Sequence, residues 1–246
     1  MKNKFLINSL KETEALAKEV SLIIQKGDFI SLIGPLGSGK TTLTKYIINN
    51  ICGDSQEVTS PTFTLSQTYL AKRSPITHYD LYRIEDYSDL EEIGFSETLE
   101  EGIVIIEWAD KFSNKLPKNR LQIQIEDDEG NNRIAHIKGY GSWDQRLERN
   151  IHLNNFINQC NLEIIDKSWM QGDASERSYQ RIITPDKSYV IMNHNQKKTK
   201  ENPTKLAENF EAFILINYHL ESLGIKVPKI FEVDTKNSFL LLEDLG

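Results

Sequence analysis

The chain has 246 residues, enough for one large domain or two small ones, and 39 % of them are hydrophobic, which argues for a folded core and against a disordered chain. With 29 Lys and Arg against 36 Asp and Glu, the formal net charge is -7, so a surface that grips a nucleic-acid backbone unaided is not expected. No apolar run approaches the roughly 18–20 residues of a membrane span, and the N-terminus lacks the apolar segment of a secretion signal. Cys52 and Cys160 lie far apart and make no disulfide framework, which favours a soluble protein of the reducing cytoplasm.

The first half of the chain alternates between helix and strand patterns. Ser9 and Glu12 predict a capping box at the start of a helix with an apolar stripe, and a second helix is predicted from Lys40 to about residue 50. Residues 29–33 and 103–106 are short apolar runs typical of buried strands. Further extended segments are predicted at residues 62–70 and 76–79 and, as a hairpin, at 121–125 and 133–138. This order predicts an α/β domain over residues 1–150, with a mainly parallel sheet to which antiparallel strands are added.

Residues 34–41 fit the phosphate-binding pattern G-x-x-x-x-G-K-[ST] between a predicted strand and a predicted helix. Glycines allow such a loop to turn its backbone N–H groups toward an anion, and the helix that follows presents its positive end to the same phosphates. Lys40 is expected to reach the β- and γ-phosphates, and the hydroxyl of Thr41 is expected to ligate Mg²⁺. The nucleotide-binding residues predicted in this loop are Gly34, Leu36, Gly37, Ser38, Gly39, Lys40, Thr41 and Thr42.

A P-loop protein also needs a carboxylate across the sheet that holds the magnesium ion directly or through water. Glu107 ends the predicted strand at residues 103–106, which is where a second core strand would deliver that carboxylate. A solvated glutamate at a strand end is the alternative, and the P-loop favours the metal role.

A third group of polar residues follows the predicted strand at residues 76–79. His78, Asp80 and Arg83 offer a carboxylate that could orient water or face the metal, and a cation that could face a phosphate. Strand alternation would place His78, Asp80 and Tyr82 on one face. A polar surface strand would show the same pattern, so the residues alone leave both interpretations open.

Four linked motifs resemble the TsaE (YjeE) family, small bacterial P-loop ATPases of tRNA threonylcarbamoyladenosine biosynthesis. The motifs are the P-loop through Thr42, residues 58–65 with Ser60-Pro61-Thr62 at their centre, His78-x-Asp80-x-Tyr82-Arg83, and Glu107-Trp108. They match in order and spacing, and the resemblance covers roughly residues 5–148.

The resemblance implies roles for particular residues. Ser60-Pro61-Thr62 would be a switch loop near the nucleotide, Thr41 and Glu107 the Mg²⁺ ligands, and Asp80 a functionally required aspartate with Lys40 and Glu107 in the catalytic set. Trp108 would lie beside the metal site and contact the nucleotide. ATP and Mg²⁺ are the implied cofactors. The implied partner is the complex of TsaD and TsaB, which transfers the threonylcarbamoyl group, so tRNA would be contacted only indirectly.

Residues 151–246 have a different pattern and predict a small α+β fragment. A turn is predicted at 172–175, an extended pair at 178–184 and 188–192, and a helix at 206–223. Over about residues 160–246 the chain resembles the N-terminal lobe of aminoglycoside-phosphotransferase-type kinases.

The segment that resembles a kinase lobe lacks the catalytic residues of such kinases. His152, His194 and His219 are not followed two positions later by Asp, as the catalytic H-x-D loop requires, and Met192 stands where a protein kinase places its strand lysine. We expect this half to be inactive as it stands, either because a catalytic lobe beyond residue 246 is missing or because it is a repurposed docking module. A half-kinase would leave the apolar residues 239–242 uncovered.

Two other functions stay open at this point. A P-loop small-molecule kinase would bind a phosphoryl acceptor near Asp80 and consume ATP only in proportion to that acceptor. A nucleotide-dependent scaffold would dock according to its ATP state without needing hydrolysis. A GTPase is disfavoured, because Asn114 and Lys115 are followed by Leu and Pro and do not complete the guanine-reading pattern N-K-x-D.

Overall fold

A computed structural model describes residues 4–53, 56–130, 132–171, 177–195 and 209–246. The chain divides into two compact units, residues 1–150 and 151–246. None of the helices in the described ranges is both long enough and apolar enough to cross a lipid bilayer.

The first unit is built around one mixed sheet. Its elements are β1 (Lys4–Leu6), α1 (Leu10–Ser21), β2 (Phe29–Ile33), α2 (Lys40–Cys52), β3 (Ser66–Tyr69), β4 (Ile76–Asp80), α3 (Tyr87–Glu92), α4 (Phe95–Glu101), β5 (Ile103–Glu107), β6 (Arg120–Asp127), β7 (Arg133–Tyr140) and the start of α5 (Ser142–Gln159). Among the described residues the strand order is β1-β7-β6-β2-β5-β4-β3. The four central strands are parallel, and antiparallel strands flank them on both sides. The predicted α/β fold with a mainly parallel sheet is confirmed.

The sheet has an apolar layer on each face, and β5 contributes to both. Ile103 and Ile105 pack into the layer beneath α1 and α2, while Val104 and Ile106 pack into the opposite layer with Phe95 of α4. These four side chains of β5 are fully buried, which explains why this part of the strand is apolar without alternation. Burial of a side chain of this size contributes about 1.5–3 kcal/mol, so β5 anchors the unit.

Local signals set the start of α1, and a turn shortens one predicted strand. The Oγ atom of Ser9 accepts a hydrogen bond from the backbone N–H of Glu12, whose carboxylate accepts one from the N–H of Ser9, so the predicted capping box is present. The predicted extended segment at residues 62–70 is a strand only over β3. Leu65 has a left-handed φ of 66°, and its N–H donates to the carbonyl of Pro61, so the chain turns before β3 begins.

The second unit contains a separate antiparallel sheet. After the end of α5 it comprises β8 (Asp166–Met170), β9 (Arg177–Ile183), β10 (Ser188–His194), α6 (Phe210–Ser222), β11 (Ile230–Asp234) and β12 (Phe239–Glu243). The strand order in the described residues is β11-β12-β10-β9-β8. The predicted turn at 172–175 and the first residues of the helix predicted at 206–223 lie outside the described residues.

The expectation that residues 239–242 are uncovered is wrong. These four side chains, in β12, are at most 4 % exposed, and β12 pairs with β10 on one side and β11 on the other. Phe239 and Leu241 pack with Phe156 at the end of α5, while Leu240 and Leu242 pack with Phe210 of α6. The apolar surface that does remain exposed in this unit includes Leu215 and Ile216 of α6.

Candidate active site

The ends of three parallel strands bring the predicted site residues to one edge of the first sheet. The P-loop leaves the end of β2, Asp80 is the last residue of β4, and Glu107 is the last residue of β5. Asp80 and Glu107 are directly paired in the register of β4 and β5. In open α/β sheets this edge, at the carboxyl ends of the strands, is where ligands bind.

The P-loop takes a conformation that requires glycine. Gly37 and Gly39 have φ values of 78° and 102°, in the left-handed region. Gly34, with φ 153°, lies so close to β6 that a Cβ atom there would be 2.5 Å from the carbonyl oxygen of Ile125. Gly39 is the N-cap of α2, and no side chain among the described residues caps this helix, so its first N–H groups face the loop. That arrangement suits a phosphate.

The other predicted loop residues differ in what they can offer a nucleotide. Leu36 is 79 % exposed, so only its backbone is placed to contribute to binding. Ser38 is buried, and its hydroxyl has no hydrogen-bond partner in the part of the chain that the structure describes. Thr42 is partly buried in the first turn of α2. A buried hydroxyl inside a ring of amides matches a site for an oxyanion.

The side chain of Lys40 is folded back onto the loop. Its Nζ atom donates to the carbonyl oxygens of Gly34 at 2.7 Å and Pro35 at 2.9 Å, and it lies 3.9 Å from the centre of the Trp108 ring. Burial lowers the pKa of Lys40, and the nearby carboxylates of Glu107, Asp80 and Asp110, in that order, oppose the shift. The ammonium group therefore sits inside the loop, held by two carbonyls that phosphate oxygens can replace.

Thr41 and Glu107 form the candidate metal site. The Thr41 hydroxyl donates to Oε2 of Glu107 at 2.9 Å, and the carboxylate is buried. A hydroxyl and one carboxylate are hard oxygen donors of the kind that Mg²⁺ takes from a protein when phosphates and water complete its shell. The residues present therefore fit a magnesium ion. The other oxygen of Glu107, Oε1, lies 2.9 Å from Nε2 of the buried His78.

Asp80 is held by the segment to which the family resemblance assigns the role of a switch loop. Its Oδ2 atom accepts hydrogen bonds from the Ser60 hydroxyl at 2.5 Å and the Thr62 hydroxyl at 2.6 Å. Its Oδ1 atom accepts one from the backbone N–H of Tyr82 at 2.9 Å. Both carboxylate oxygens are thus engaged by protein donors, and the loop is tied to the end of β4.

Aromatic rings lie next to Lys40 and Arg83. Trp108 has a left-handed φ of 59°, and its ring lies between Lys40 and Tyr82, whose ring centre is 5.2 Å away. The guanidinium of Arg83, the cation that could face a phosphate, lies over the exposed ring of Phe63 at 4.1 Å. Tyr82 is beyond the end of β4 and does not continue the buried face of His78 and Asp80 that alternation predicted.

Two contacts of this site had no signal in the sequence. The approach of Gly34 to Ile125 depends on the pairing of β2 with β6, which are separated by about 90 residues. The bond between His78 and Glu107 depends on the pairing of β4 with β5. Neither pairing follows from a local pattern, although the parallel order of the strands was predicted.

Comparison with known proteins gives concordant results for the first unit. Residues 7–135 match the family model described as threonylcarbamoyl adenosine biosynthesis protein TsaE. The chain is 37 % identical over 131 residues to the Rickettsia conorii protein named tRNA threonylcarbamoyladenosine biosynthesis protein TsaE, an alignment that covers 53 % of this chain and 75 % of the relative. The protein of the same name from Bacillus subtilis is 41 % identical over 116 residues, covering 47 % and 72 %. The crystal structure of Bacillus subtilis YdiB superposes with a TM-score of 0.52 and 29 % identity, over 62 % of this chain and 95 % of that one.

Proposed function

The chain belongs to the TsaE family, and on that premise we propose that it is a Mg²⁺-dependent ATPase that serves tRNA threonylcarbamoyladenosine biosynthesis. The observation that carries the proposal is the contact between Thr41 and Glu107, at 2.9 Å, beside a P-loop whose lysine is buried. This pairing of a P-loop hydroxyl with a strand-end carboxylate is what a nucleotide-bound magnesium ion requires.

Each part of the site has a role in the proposed reaction. The amides of residues 34–41 and the N-terminus of α2 would bind the phosphates, and Lys40 would exchange its two carbonyl partners for phosphate oxygens. Thr41 and Glu107 would hold the magnesium ion, which when bound neutralises the charge on the phosphate oxygens. Asp80 would orient the attacking water once the switch loop releases one of its oxygens.

We propose that the partner is the TsaD–TsaB complex and that both act in the cytoplasm. Ser60 and Thr62 occupy the Oδ2 atom of Asp80, so the isolated protein is expected to hydrolyse ATP slowly until a partner rearranges the loop. Because the chain has a net charge of -7, we expect the partner, and not this chain, to bind the tRNA. We therefore expect a low rate of ATP hydrolysis by the isolated protein and a much higher rate in the presence of the partner complex.

The second unit is proposed to be a kinase N-lobe-like domain, residues 151–246, without phosphotransferase activity as it stands. Its antiparallel sheet with α6 packed against it is consistent with that proposal. Met192 is fully buried among apolar neighbours in β10, so a thioether occupies the place at which the kinase resemblance would require a lysine.

The test of the proposed function is ATP hydrolysis by the purified protein with and without the TsaD–TsaB complex, and with Lys40→Ala as the blank. Turnover that requires Mg²⁺, rises with the complex and vanishes in the blank is the expected result. Lys40-dependent turnover that ignores the complex would overturn the partner and favour a small-molecule kinase. Binding of ATP with no turnover under any condition would favour a scaffold.

A further inference from the structure

His78 is a buried polar residue to which the proposed reaction has so far given no role. It lies in the middle of β4, its side chain is 0 % exposed, and its Nε2 atom is 2.9 Å from Oε1 of Glu107. The metal role proposed for Glu107 requires an ionised carboxylate, which only accepts hydrogen bonds, so that role assigns the donated proton to the Nε2 atom of His78. Its Nδ1 atom has no hydrogen-bond partner among the residues that the structure describes.

The two oxygens of Glu107 have different donors, and the donors belong to different parts of the fold. Oε1 accepts from His78 in the sheet, and Oε2 accepts from Thr41 at the start of α2. The last torsion of a glutamate side chain is broad, so a carboxylate with one donor can rotate about that bond. A second donor on the opposite side restricts the rotation and fixes which oxygen faces the P-loop.

We infer that His78 is a positioning residue of the magnesium site, which acts by holding Oε1 of Glu107 so that Oε2 is directed toward Thr41. The inference rests on the proposed function, because it assumes that a magnesium ion binds with the nucleotide. Partners of metal-binding carboxylates typically change metal affinity by about 10–100-fold when they are removed. The alternative is that His78 only fills space in the core between β4 and its neighbours.

Two substitutions separate these roles. His78→Met has a similar volume and no donor, whereas His78→Gln has an amide N–H that can reach Glu107. The measurement is the dissociation constant of ADP by calorimetry, first in EDTA and then at increasing free Mg²⁺. For His78→Met we expect an unchanged constant in EDTA and a rise of about tenfold or more in the Mg²⁺ concentration that gives half of the metal effect. His78→Gln should stay within about threefold of the wild type.

Other outcomes would overturn the inference. Wild-type Mg²⁺ dependence in His78→Met, or an equal loss for both variants, would mean that His78 only fills space. If His78→Met does not fold, the side-chain ¹⁵N spectrum of the wild type decides, with the His78 signal assigned by its absence in His78→Gln. A proton on Nε2, with or without one on Nδ1, supports the inference, and a proton on Nδ1 alone overturns it. Wild-type protein that binds no ADP would instead contradict the proposed function itself.

Discussion

Thr62 donates its hydroxyl to the same oxygen of Asp80 that accepts from Ser60, at 2.6 and 2.5 Å. One oxygen of a buried carboxylate thus holds two residues of the loop that precedes β3. Hydrogen bonds to a charged group contribute about 1.5–3 kcal/mol each, so the loop conformation and the availability of Asp80 depend on each other.

Replacement of Asp80 is expected to separate hydrolysis from binding. For Asp80→Ala we expect ATP turnover to fall by about 100-fold or more, because a group that orients or accepts from the attacking water contributes about 10²–10⁴-fold. The dissociation constant of ADP should change by less than about threefold, since Asp80 bonds to the switch loop and not to the P-loop. Glu100→Ala, at an exposed site on α4, is the control for loss of an acidic residue. If tRNA modification survives in Asp80→Ala, hydrolysis is not required and the scaffold hypothesis replaces the ATPase.

Trp108 is expected to report nucleotide binding. Its ring is 3.9 Å from the ammonium of Lys40, and a nucleotide would draw that ammonium away toward its phosphates. We expect tryptophan emission to change on addition of ADP and Mg²⁺, and the change to disappear in Trp108→Phe. Trp169→Phe, in β8 of the second unit, should keep the change. An emission change that survives in Trp108→Phe would contradict the movement of Lys40.

Gly34→Ala is expected to be more destabilising than the same change at another glycine with positive φ. A Cβ atom at position 34 would lie 2.5 Å from the carbonyl oxygen of Ile125, so the loop or β6 must shift. We expect this shift to lower the free energy of unfolding by about 1–3 kcal/mol, in addition to the cost of the backbone strain. Gly53, with φ 78° and no atom of a described residue within 4 Å of such a Cβ, provides the matched control, and Gly53→Ala should lower the free energy of unfolding by only about 1–2 kcal/mol. Urea denaturation measures the free energy of unfolding of both variants and of the wild type. Equal losses would mean that the contact with Ile125 is not restrictive.

The thiol of Cys160 is expected to react slowly with alkylating reagents at neutral pH. Burial, with a smaller contribution from the charge of Glu232, raises its pKa from 9.0 to about 11. Because the thiolate is the nucleophile, the raised pKa lowers the thiolate fraction at pH 8 by about two orders of magnitude. A more basic thiolate is also more nucleophilic, which offsets about one of those two orders of magnitude. In Cys52→Ser, iodoacetamide should therefore react about tenfold more slowly than with a free thiol, at a rate that keeps rising up to about pH 11. A rate that levels off near pH 9 would contradict the raised pKa.

Local chemistry made several features readable from the sequence alone. The capping box of Ser9 and Glu12 lies within four consecutive residues, and the P-loop within eight, so each is set by short-range geometry. The strand at residues 103–106 is apolar without alternation because both of its faces are buried, and that pattern is also local. These features were enough to predict an α/β fold with a phosphate site, together with the residue types that its chemistry needs.

Only the tertiary structure shows how those residues meet. Thr41 and Glu107 are 66 positions apart, and their contact exists because β2 and β5 are parallel neighbours with their carboxyl ends at one edge. His78 reaches Glu107 because β4 pairs with β5 in one particular register. In the second unit, residues 239–242 are buried because side chains of α5 and α6 pack against alternate residues of β12. Strand order and register depend on the sum of many weak long-range contacts, and no local pattern records that sum.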